Sequence, residues 1–135
     1  SQCVCRMDRC FMMFRLRVES HFDASHRIPN HPGKCRNLHG HHYKVEVFVV
    51  GNKLDANGIL EGSDFINLKQ TLTELTDKFD HTHLNDAIGD DTSAENISRI
   101  IFKELNNKGV SNLERVRIWE SPTQYAEYWD KDESQ

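Results

Sequence analysis

The feature that most constrains the fold is an alternation of inward and outward side chains that runs from residue 14 to residue 24. A period of two residues is typical of a strand with one buried face. The residues of the buried parity are Phe14, Leu16, Val18, Ser20, Phe22 and Ala24. The stretch "RIPNHPGKC" that follows carries two prolines and a glycine, which indicate a loop. A second strand is predicted for residues 39–50, and the two strands are expected to pair antiparallel.

Two amphipathic helices are predicted after the turn signal "GNKLDANG". In the first helix, apolar residues recur at helical spacing, at Phe65, Leu68, Leu72, Leu75 and Phe79. Ser63 or Asp64 is its expected N-cap. In the second helix, Thr92 and Glu95 have the spacing of a capping box. Its apolar face comprises Ile97, Ile100, Ile101 and Leu105, and Gly109 suits its C-terminal cap.

The C-terminal part of the chain predicts two short strands. "LERVRIWE" puts Val116, Ile118 and Glu120 on one face, and "TQYAEYW" follows. The predicted order is therefore ββααββ, an α+β domain with a four-stranded antiparallel sheet. Two open sheet edges favour an oligomer that joins through them. One domain is expected over residues 13–130, with a cysteine-rich N-terminal tail at 1–12 and a frayed C-terminus at 131–135.

Composition argues against some classes of protein. The net charge is −4 and the sequence pI is about 6.0, so no general electrostatic attraction to nucleic acid or anionic lipid is expected. The sequence lacks an apolar run near the roughly 20 residues of a membrane span. The short apolar stretch near the N-terminus is flanked by charge, unlike a signal peptide. The usage of the four cysteines favours a reduced, cytoplasmic protein.

A cluster of histidines at the start of the second strand points to a metal site. His39 and His41 are two residues apart, so both side chains leave the same face of the strand, whereas His42 points away. His26 is the expected third ligand, because a hairpin brings the strand ends together. Three neutral imidazoles suit a zinc ion whose fourth position stays open for water or substrate. Cys35 as a closing fourth ligand is one alternative, and histidines that merely occupy a strand are another.

Two further groups carry candidate chemistry. Asp80 and His81 adjoin at the end of the first helix, where the carboxylate can fix the tautomer of the imidazole and raise its basicity. A histidine at a helix C-terminus is also common for helix-dipole reasons alone. Glu120 ends an apolar strand, and burying a carboxylate costs free energy unless it is paired. Glu120 therefore has either an internal basic partner or a ligand with a planar N–H/NH2 edge, such as a pterin or guanine ring.

Several motifs in this order resemble the 6-pyruvoyltetrahydropterin synthase and 6-carboxytetrahydropterin synthase family, from about residue 14 to residue 128. They are "HFDASHRIP", "CRNLHGHHYKVEV", "FDHTHLN", "AEN", "VRIWES" and "YAEY". The resemblance implies the T-fold, an antiparallel sheet with two helices on one face. It also implies assembly through the sheets into a trimeric barrel and usually a homohexamer.

The resemblance also implies roles for individual residues. The zinc ligands it implies are His26, His39 and His41. The catalytic residues it implies are Cys35, Asp80 and His81, with the dyad and the cysteine contributed by neighbouring subunits. The substrate contacts it implies are Glu120, as the anchor of the pterin ring, with Ser93 and Glu95. Independently of the resemblance, Arg27, Lys34 and Arg36 lie beside these positions and either meet an anionic substrate or are solvated loop charges.

The spacing C-x3-HGH separates the subfamilies. It resembles the 6-carboxytetrahydropterin synthases of the queuosine and 7-deazapurine pathway, because the pyruvoyl enzymes carry a longer insert there. The implied reaction converts 7,8-dihydroneopterin triphosphate to 6-carboxytetrahydropterin and releases acetaldehyde and triphosphate. The alternatives are a 6-pyruvoyltetrahydropterin synthase, which keeps the side-chain carbons, and a non-catalytic zinc- or pterin-binding module. This chain departs from the family in a longer loop before Asp64, in Ala94 where a second hydroxyl residue is usual, and in residues 1–12.

Overall fold

The computed structural model describes residues 13–130. Its elements in chain order are β1 (Phe14–His26), a 3-10 helix (Lys34–Arg36), β2 (His39–Gly51), α1 (Phe65–Phe79), β3 (Thr82–His83), α2 (Leu84–Ile88), α3 (Ala94–Asn107), β4 (Leu113–Ser121) and β5 (Gln124–Tyr128). The tail predicted at residues 1–12 and the frayed end predicted at 131–135 lie outside the described residues. Within the described part of the chain, no helix is long and apolar enough to cross a membrane.

The predicted strand pair is confirmed. β1 and β2 pair antiparallel from Phe14↔Gly51 to His26↔His39 without a break. They occupy neighbouring positions inside a sheet of order β3-β1-β2-β4-β5. Because β1 and β2 are each 13 residues long, the buried face of the hairpin extends as far as the histidines at its end.

The sheet formed by residues 13–130 has five strands rather than the predicted four. β3 is only two residues long and pairs parallel with β1 through Ala24↔Thr82 and Ser25↔His83. The five-residue helix α2 follows it directly. The predicted order ββααββ was therefore incomplete, because elements this short produce no periodic pattern in a sequence. The α+β class and the T-fold arrangement of a sheet with helices are confirmed.

The core lies between the sheet and the helices α1 and α3. Its fully buried side chains include Phe22, Tyr43, Val45, Leu72, Leu75, Ile97, Ile101, Leu105, Val116 and Ile118. The predicted parity of β1 is confirmed from Val18 to Ala24, whereas Phe14 and Phe65 are 46% and 56% exposed. A register slip of one residue would turn the whole buried row of β1 to the other face. The same constraint fixes which histidines face the helices.

The helix starts agree with the sequence in one case and differ in the other. Asp64 caps α1, and its side chain accepts a hydrogen bond from the backbone N–H of Asn67 at 2.8 Å. The capping box predicted at Thr92 was wrong, because α3 is capped by Ser93, which accepts from the backbone N–H of Asn96 at 3.2 Å. Thr92 is fully buried instead. Its polar atoms bind the end of β1, as described below.

The opposite parity of the sheet carries charged side chains. Glu46 is 5% exposed and accepts hydrogen bonds from Trp119 and Arg17, while Arg117 lies 3.7 Å from its carboxylate. Burial raises the pKa of Glu46, but these donors outweigh burial and hold the pKa below its ordinary value. The two faces of the sheet are therefore chemically different, and each ends in its own cluster of titratable groups.

Candidate functional site

Strand register collects three histidines at one end of the hairpin. His26 pairs with His39 across β1 and β2, and the next same-face position on β2 is His41, opposite Ala24. The ring centroids are 4.5 Å apart for His26 and His39, 5.1 Å for His26 and His41, and 4.9 Å for His39 and His41. Each ring has a nitrogen within 4.8 Å of a nitrogen on both other rings. This three-histidine group is a possible metal site.

Backbone carbonyls orient two of these rings. His26 Nδ1 lies 2.9 Å from the carbonyl oxygen of Thr92, and His39 Nδ1 lies 2.7 Å from that of Asn37. A carbonyl only accepts, so each Nδ1 carries the proton and each Nε2 keeps its lone pair. His26 Nε2 is buried and has no hydrogen-bond partner among the described residues. A second nitrogen held by a carbonyl is the usual arrangement for a metal-binding histidine, so these residues fit a metal ion.

The surroundings keep the rings of His26 and His41 neutral. Burial lowers the pKa of His26 to about 4, partly offset by the bond to Thr92. Burial also lowers the pKa of His41, against the opposing effect of the Glu120 carboxylate. Both imidazoles are therefore in the neutral form near pH 7, which is the form that binds a metal.

Glu120 reaches the three-histidine group from β4. Its Oε2 lies 3.9 Å from His26 Nε2, and its side chain is 27% exposed. Together with His41, Lys44 and Trp119 it lines a cavity of about 500 Å³. The carboxylate is therefore half-buried at the edge of the three-histidine group and open to a ligand, in the position that the strand parity predicts.

Cys35 lies in the 3-10 helix of the loop between β1 and β2 and is half-buried. The ligand group formed by the described residues contains three imidazole rings and does not include this sulfur. The closed site with Cys35 as fourth ligand, which the sequence left open, is therefore not formed among residues 13–130. Lys34, in the same short helix, is exposed, as is Arg27 after the end of β1.

The Asp80–His81 pair forms as the adjacent residues suggest. Asp80 is the C-cap of α1, and its Oδ2 accepts from His81 Nδ1 at 2.9 Å. Asp23 anchors the pair through its backbone, because its N–H donates to Asp80 Oδ1 at 2.8 Å and its carbonyl accepts from the N–H of His81 at 2.6 Å. The hydrogen bond from the Asp23 backbone N–H lowers the pKa of Asp80 most, and His81 lowers it further. His81 has a φ of 60°, in the left-handed region, and its side chain is 81% exposed.

This pair belongs to a different group of side chains from the three histidines. Asp23, Asp80 and His81 form a second cluster of potential ligands, and His42 joins it through a 2.7 Å contact between His42 Nδ1 and Asp23 Oδ1. Asp23 and His42 have the parity opposite to the three-histidine group on β1 and β2. The Asp80–His81 pair and the three histidines are therefore two separate ligand groups in the described residues, although His41 and His81 both line an open cavity of about 660 Å³.

Ser93 and Glu95 lie at the start of α3. They line a cavity of about 230 Å³ together with Asn96, Arg99 and Tyr128, and Glu120 is not among its lining residues. The Ser93 hydroxyl is used in the helix cap and also donates to Asp91 at 3.2 Å. The structure therefore does not place these two residues with Glu120 inside one chain.

Sequence reasoning missed residues that hold the site together. Asn85 clamps the backbone of Arg27, beside His26, with two hydrogen bonds of 2.9 Å. The Thr92 hydroxyl donates to the same Arg27 carbonyl at 3.2 Å, while the Thr92 carbonyl orients His26. Only tertiary contacts reveal these roles. Strand parity could have identified Tyr43, because it shares the parity of His39 and His41 on β2. Tyr43 is fully buried, and burial raises the pKa of its phenol.

Comparison with known proteins gives consistent results. A family model described as 6-pyruvoyl tetrahydropterin synthase matches residues 15–131. A protein of Archaeoglobus fulgidus, provisionally named a 6-carboxy-5,6,7,8-tetrahydropterin synthase, is 46% identical over 110 residues, which cover 82% of this chain and 90% of the relative. The 6-carboxy-5,6,7,8-tetrahydropterin synthase of Synechocystis sp. is 37% identical over 121 residues, which cover 87% and 94%.

A solved structure supports the fold. The 6-pyruvoyl tetrahydropterin synthase of Caenorhabditis elegans matches with a TM-score of 0.78 at 24% sequence identity, over 87% of this chain and 96% of that chain. At this level of identity, the likeness bears on the fold and not on the reaction.

Proposed function

Because this chain belongs to the 6-pyruvoyl tetrahydropterin synthase family, we propose that it is a zinc-dependent 6-carboxy-5,6,7,8-tetrahydropterin synthase. In this role it is a lyase that converts 7,8-dihydroneopterin triphosphate and one water to 6-carboxytetrahydropterin, acetaldehyde and triphosphate, in queuosine and 7-deazapurine biosynthesis. The observation that carries the proposal is the three-histidine group, with His26 Nε2 buried and unpartnered among the described residues. The identity of the relatives named for this reaction supports the choice of product.

The three histidines would hold the zinc ion. Three neutral nitrogen ligands leave a position free, as is usual for a catalytic zinc. When bound, the ion supplies Lewis acidity toward the hydroxyl groups of the substrate side chain. His26, oriented by Thr92, and His39, oriented by Asn37, already present their Nε2 atoms for this purpose.

The other site residues are proposed to bind the pterin ring and to transfer protons. Glu120 accepts hydrogen bonds from the N–H/NH2 edge of the pterin ring and so sets the position of the side chain against the histidines. Cys35 removes a proton from that side chain as the thiolate, which is the basic form of cysteine. His81 exchanges a proton at another position of the substrate side chain. Asp80 keeps Nδ1 of His81 protonated, so that Nε2 of His81 faces the substrate.

An oligomer completes the site in this proposal. The side chain of His81 is 81% exposed, and the Asp80–His81 pair does not belong to the ligand group that the three histidines of its own chain form. We propose a homohexamer, or a trimer, in the cytoplasm, in which the dyad of one subunit meets the three-histidine group of the next. Ser93 and Glu95 at α3, which lie in a cavity separate from Glu120, would contact substrate across the same interface. The exposed Arg27 and Lys34 would neutralise the triphosphate.

Product analysis tests the proposal. Zinc-loaded protein is incubated with 7,8-dihydroneopterin triphosphate, and the pterins are identified by mass spectrometry while a hydrazine reagent traps aldehydes. The expected products are 6-carboxytetrahydropterin and one equivalent of acetaldehyde, and Cys35→Ala should keep its zinc but lose turnover. Release of triphosphate without acetaldehyde would assign the chain to the pyruvoyl synthases. No turnover by a zinc-loaded oligomer would leave a binding module and would contradict the proposal.

A further inference from the structure

Two buried side-chain polar atoms have no hydrogen-bond partner among the described residues, and the rings that carry them are neighbours, with centroids 6.0 Å apart. One is His26 Nε2 and the other is the hydroxyl of Tyr43. The first has its explanation in the proposed metal. The second has none so far, because the role of Tyr43 as a packed core residue involves only its ring.

Tyr43 borders the three-histidine group. It follows His41 on the same face of β2 and pairs with Phe22 of β1, whose ring stacks on it at a centroid distance of 4.7 Å. Its ring lies edge-to-face with His41 at 5.4 Å and with His26 at 6.0 Å. The β2–β4 register pairs Lys44 with Trp119, so the next step along the two strands sets Tyr43 against Glu120.

The hydroxyl is not needed for packing. Phe22 shows that a plain aromatic ring suits this layer of the core, and a buried hydroxyl without a partner destabilises the fold. Phenylalanine at position 43 would keep the stacking and avoid that penalty. A tyrosine at this position therefore suggests that the hydroxyl has a partner when the site is filled.

We propose that the Tyr43 hydroxyl donates a hydrogen bond to the oxygen atom that occupies the open side of the three-histidine group. That oxygen is water in the free protein and a side-chain hydroxyl of the pterin in the complex. The inference deepens the proposed function and rests on it, because it takes the three histidines to hold zinc. Tyr43 is then a residue of the reaction site, although it belongs to the core by its burial.

The test compares Tyr43→Phe with Tyr128→Phe and the unaltered protein. Tyr128 is the matched control for zinc affinity and stability, since its hydroxyl donates to Asp130 at 3.0 Å and it lines the cavity at Ser93 and not the three-histidine group. Zinc affinity is measured by competition with a chelator, and unfolding temperature is measured without metal. Tyr43→Phe should weaken zinc binding about tenfold, as loss of an outer-shell partner typically does, while its metal-free unfolding temperature is equal or higher. Tyr128→Phe should bind zinc normally and unfold at a slightly lower temperature.

A pair of ligands sharpens the test. Dihydroneopterin carries the side-chain hydroxyls and pterin carries none, so Tyr43→Phe should weaken binding of dihydroneopterin to the zinc-loaded protein severalfold and leave pterin unaffected. Equal zinc affinity in Tyr43→Phe and the unaltered protein would overturn the inference, as would equal weakening for both pterins. If the unaltered protein itself binds no zinc, the proposed function fails together with this inference, and that result is distinct from either of the others.

Discussion

The three-histidine group and the Asp80–His81 pair lie near the same end of β1, yet they differ in nearly every physical property. The side chain of His26 is 1% exposed, and that of His81 is 81% exposed. Burial lowers the pKa of His26 to about 4, whereas the Asp80 carboxylate has its pKa lowered by hydrogen bonds. His26 is enclosed by its own chain, with His39 and His41 half-buried beside it, whereas His81 presents its ring outward.

The two groups are also built differently. Regular antiparallel register places the three histidines, so their geometry follows from the pairing of two 13-residue strands. The Asp80–His81 pair instead occupies the junction between α1 and β3, where His81 takes a left-handed φ of 60°. A non-glycine residue in that region is held by its surroundings, here by the backbone of Asp23. The contrast supports the proposal that a single chain supplies the three histidine ligands, while the pair acts in the site of a second subunit.

The largest effect is expected from removing a ligand. His39→Ala should lower zinc affinity by more than about 100-fold and abolish turnover, because two imidazoles hold zinc far less tightly than three. His42→Ala is the matched control in the same motif, since His42 faces the opposite way and is exposed. Chelator competition measures both variants. Comparable zinc loss in the two would mean that strand parity does not select the ligands.

The next effect concerns the pair. His81→Ala should keep its zinc and lose about 10²–10⁴-fold in turnover, the usual contribution of a general acid or base. If neighbouring subunits share sites, then mixing inactive His81→Ala and His39→Ala chains, with dissociation and reassembly, should restore about a quarter of full activity, because each site draws two parts at random from two chains. Mixtures that stay inactive while forming oligomers would place the whole site within one chain.

The third effect is acid sensitivity of the metal-free protein. The pKa of His26 is about 6.5 when unfolded and about 4 when folded. The stabilisation from its neutral form is therefore complete above pH 6.5 and is lost as the pH falls from 6.5 to 4, by up to about 3 kcal/mol. Urea unfolding at several pH values should show a smaller loss in His26→Gln. A loss in His26→Gln as large as that of the unaltered protein would contradict the contrast between the groups.

The same contrast explains how far the sequence alone could lead. Period-two parity suffices to put His39 and His41 on one face, and a hairpin suffices to bring His26 beside them. Parity also puts Glu120 on the buried face of β4. These features depend only on regular secondary structure.

The remainder depends on tertiary contacts between short or irregular segments. β3 has two residues, and its pairing with β1 is visible only once α1 has been packed. Thr92 has the sequence signature of a helix cap. In the structure its carbonyl and hydroxyl instead form hydrogen bonds at the end of β1, and Ser93 is the N-cap of α3. At that residue the tertiary hydrogen bonds outweigh the local preference for a helix cap.

The smallest effect is expected at the clamp that joins the two groups. Asn85 lies just after β3, on the segment that carries His81, and holds the Arg27 backbone with an N–H donor and a carbonyl acceptor, both at 2.9 Å. Asn85→Ala removes both bonds and should lower the free energy of unfolding by about 1–2 kcal/mol. Zinc affinity should fall only severalfold, because Thr92 still orients His26.

Asn85→Asp separates the two bonds of the clamp. The aspartate keeps the acceptor for the Arg27 N–H but lacks the donor for the Arg27 carbonyl, which still receives the Thr92 hydroxyl at 3.2 Å. Because the second aspartate oxygen would face the Arg27 carbonyl and the Asp90 carboxylate, which the Asn85 amide nitrogen contacts at 2.9 and 3.5 Å, the loss of stability should be at least that of Asn85→Ala, as measured by urea unfolding. Asn30→Ala, an exposed amide in the loop after β1, serves as the control. If Asn85→Ala lost no more stability than Asn30→Ala, the two groups would be mechanically independent, and their contrast in exposure would reflect only their separate surroundings.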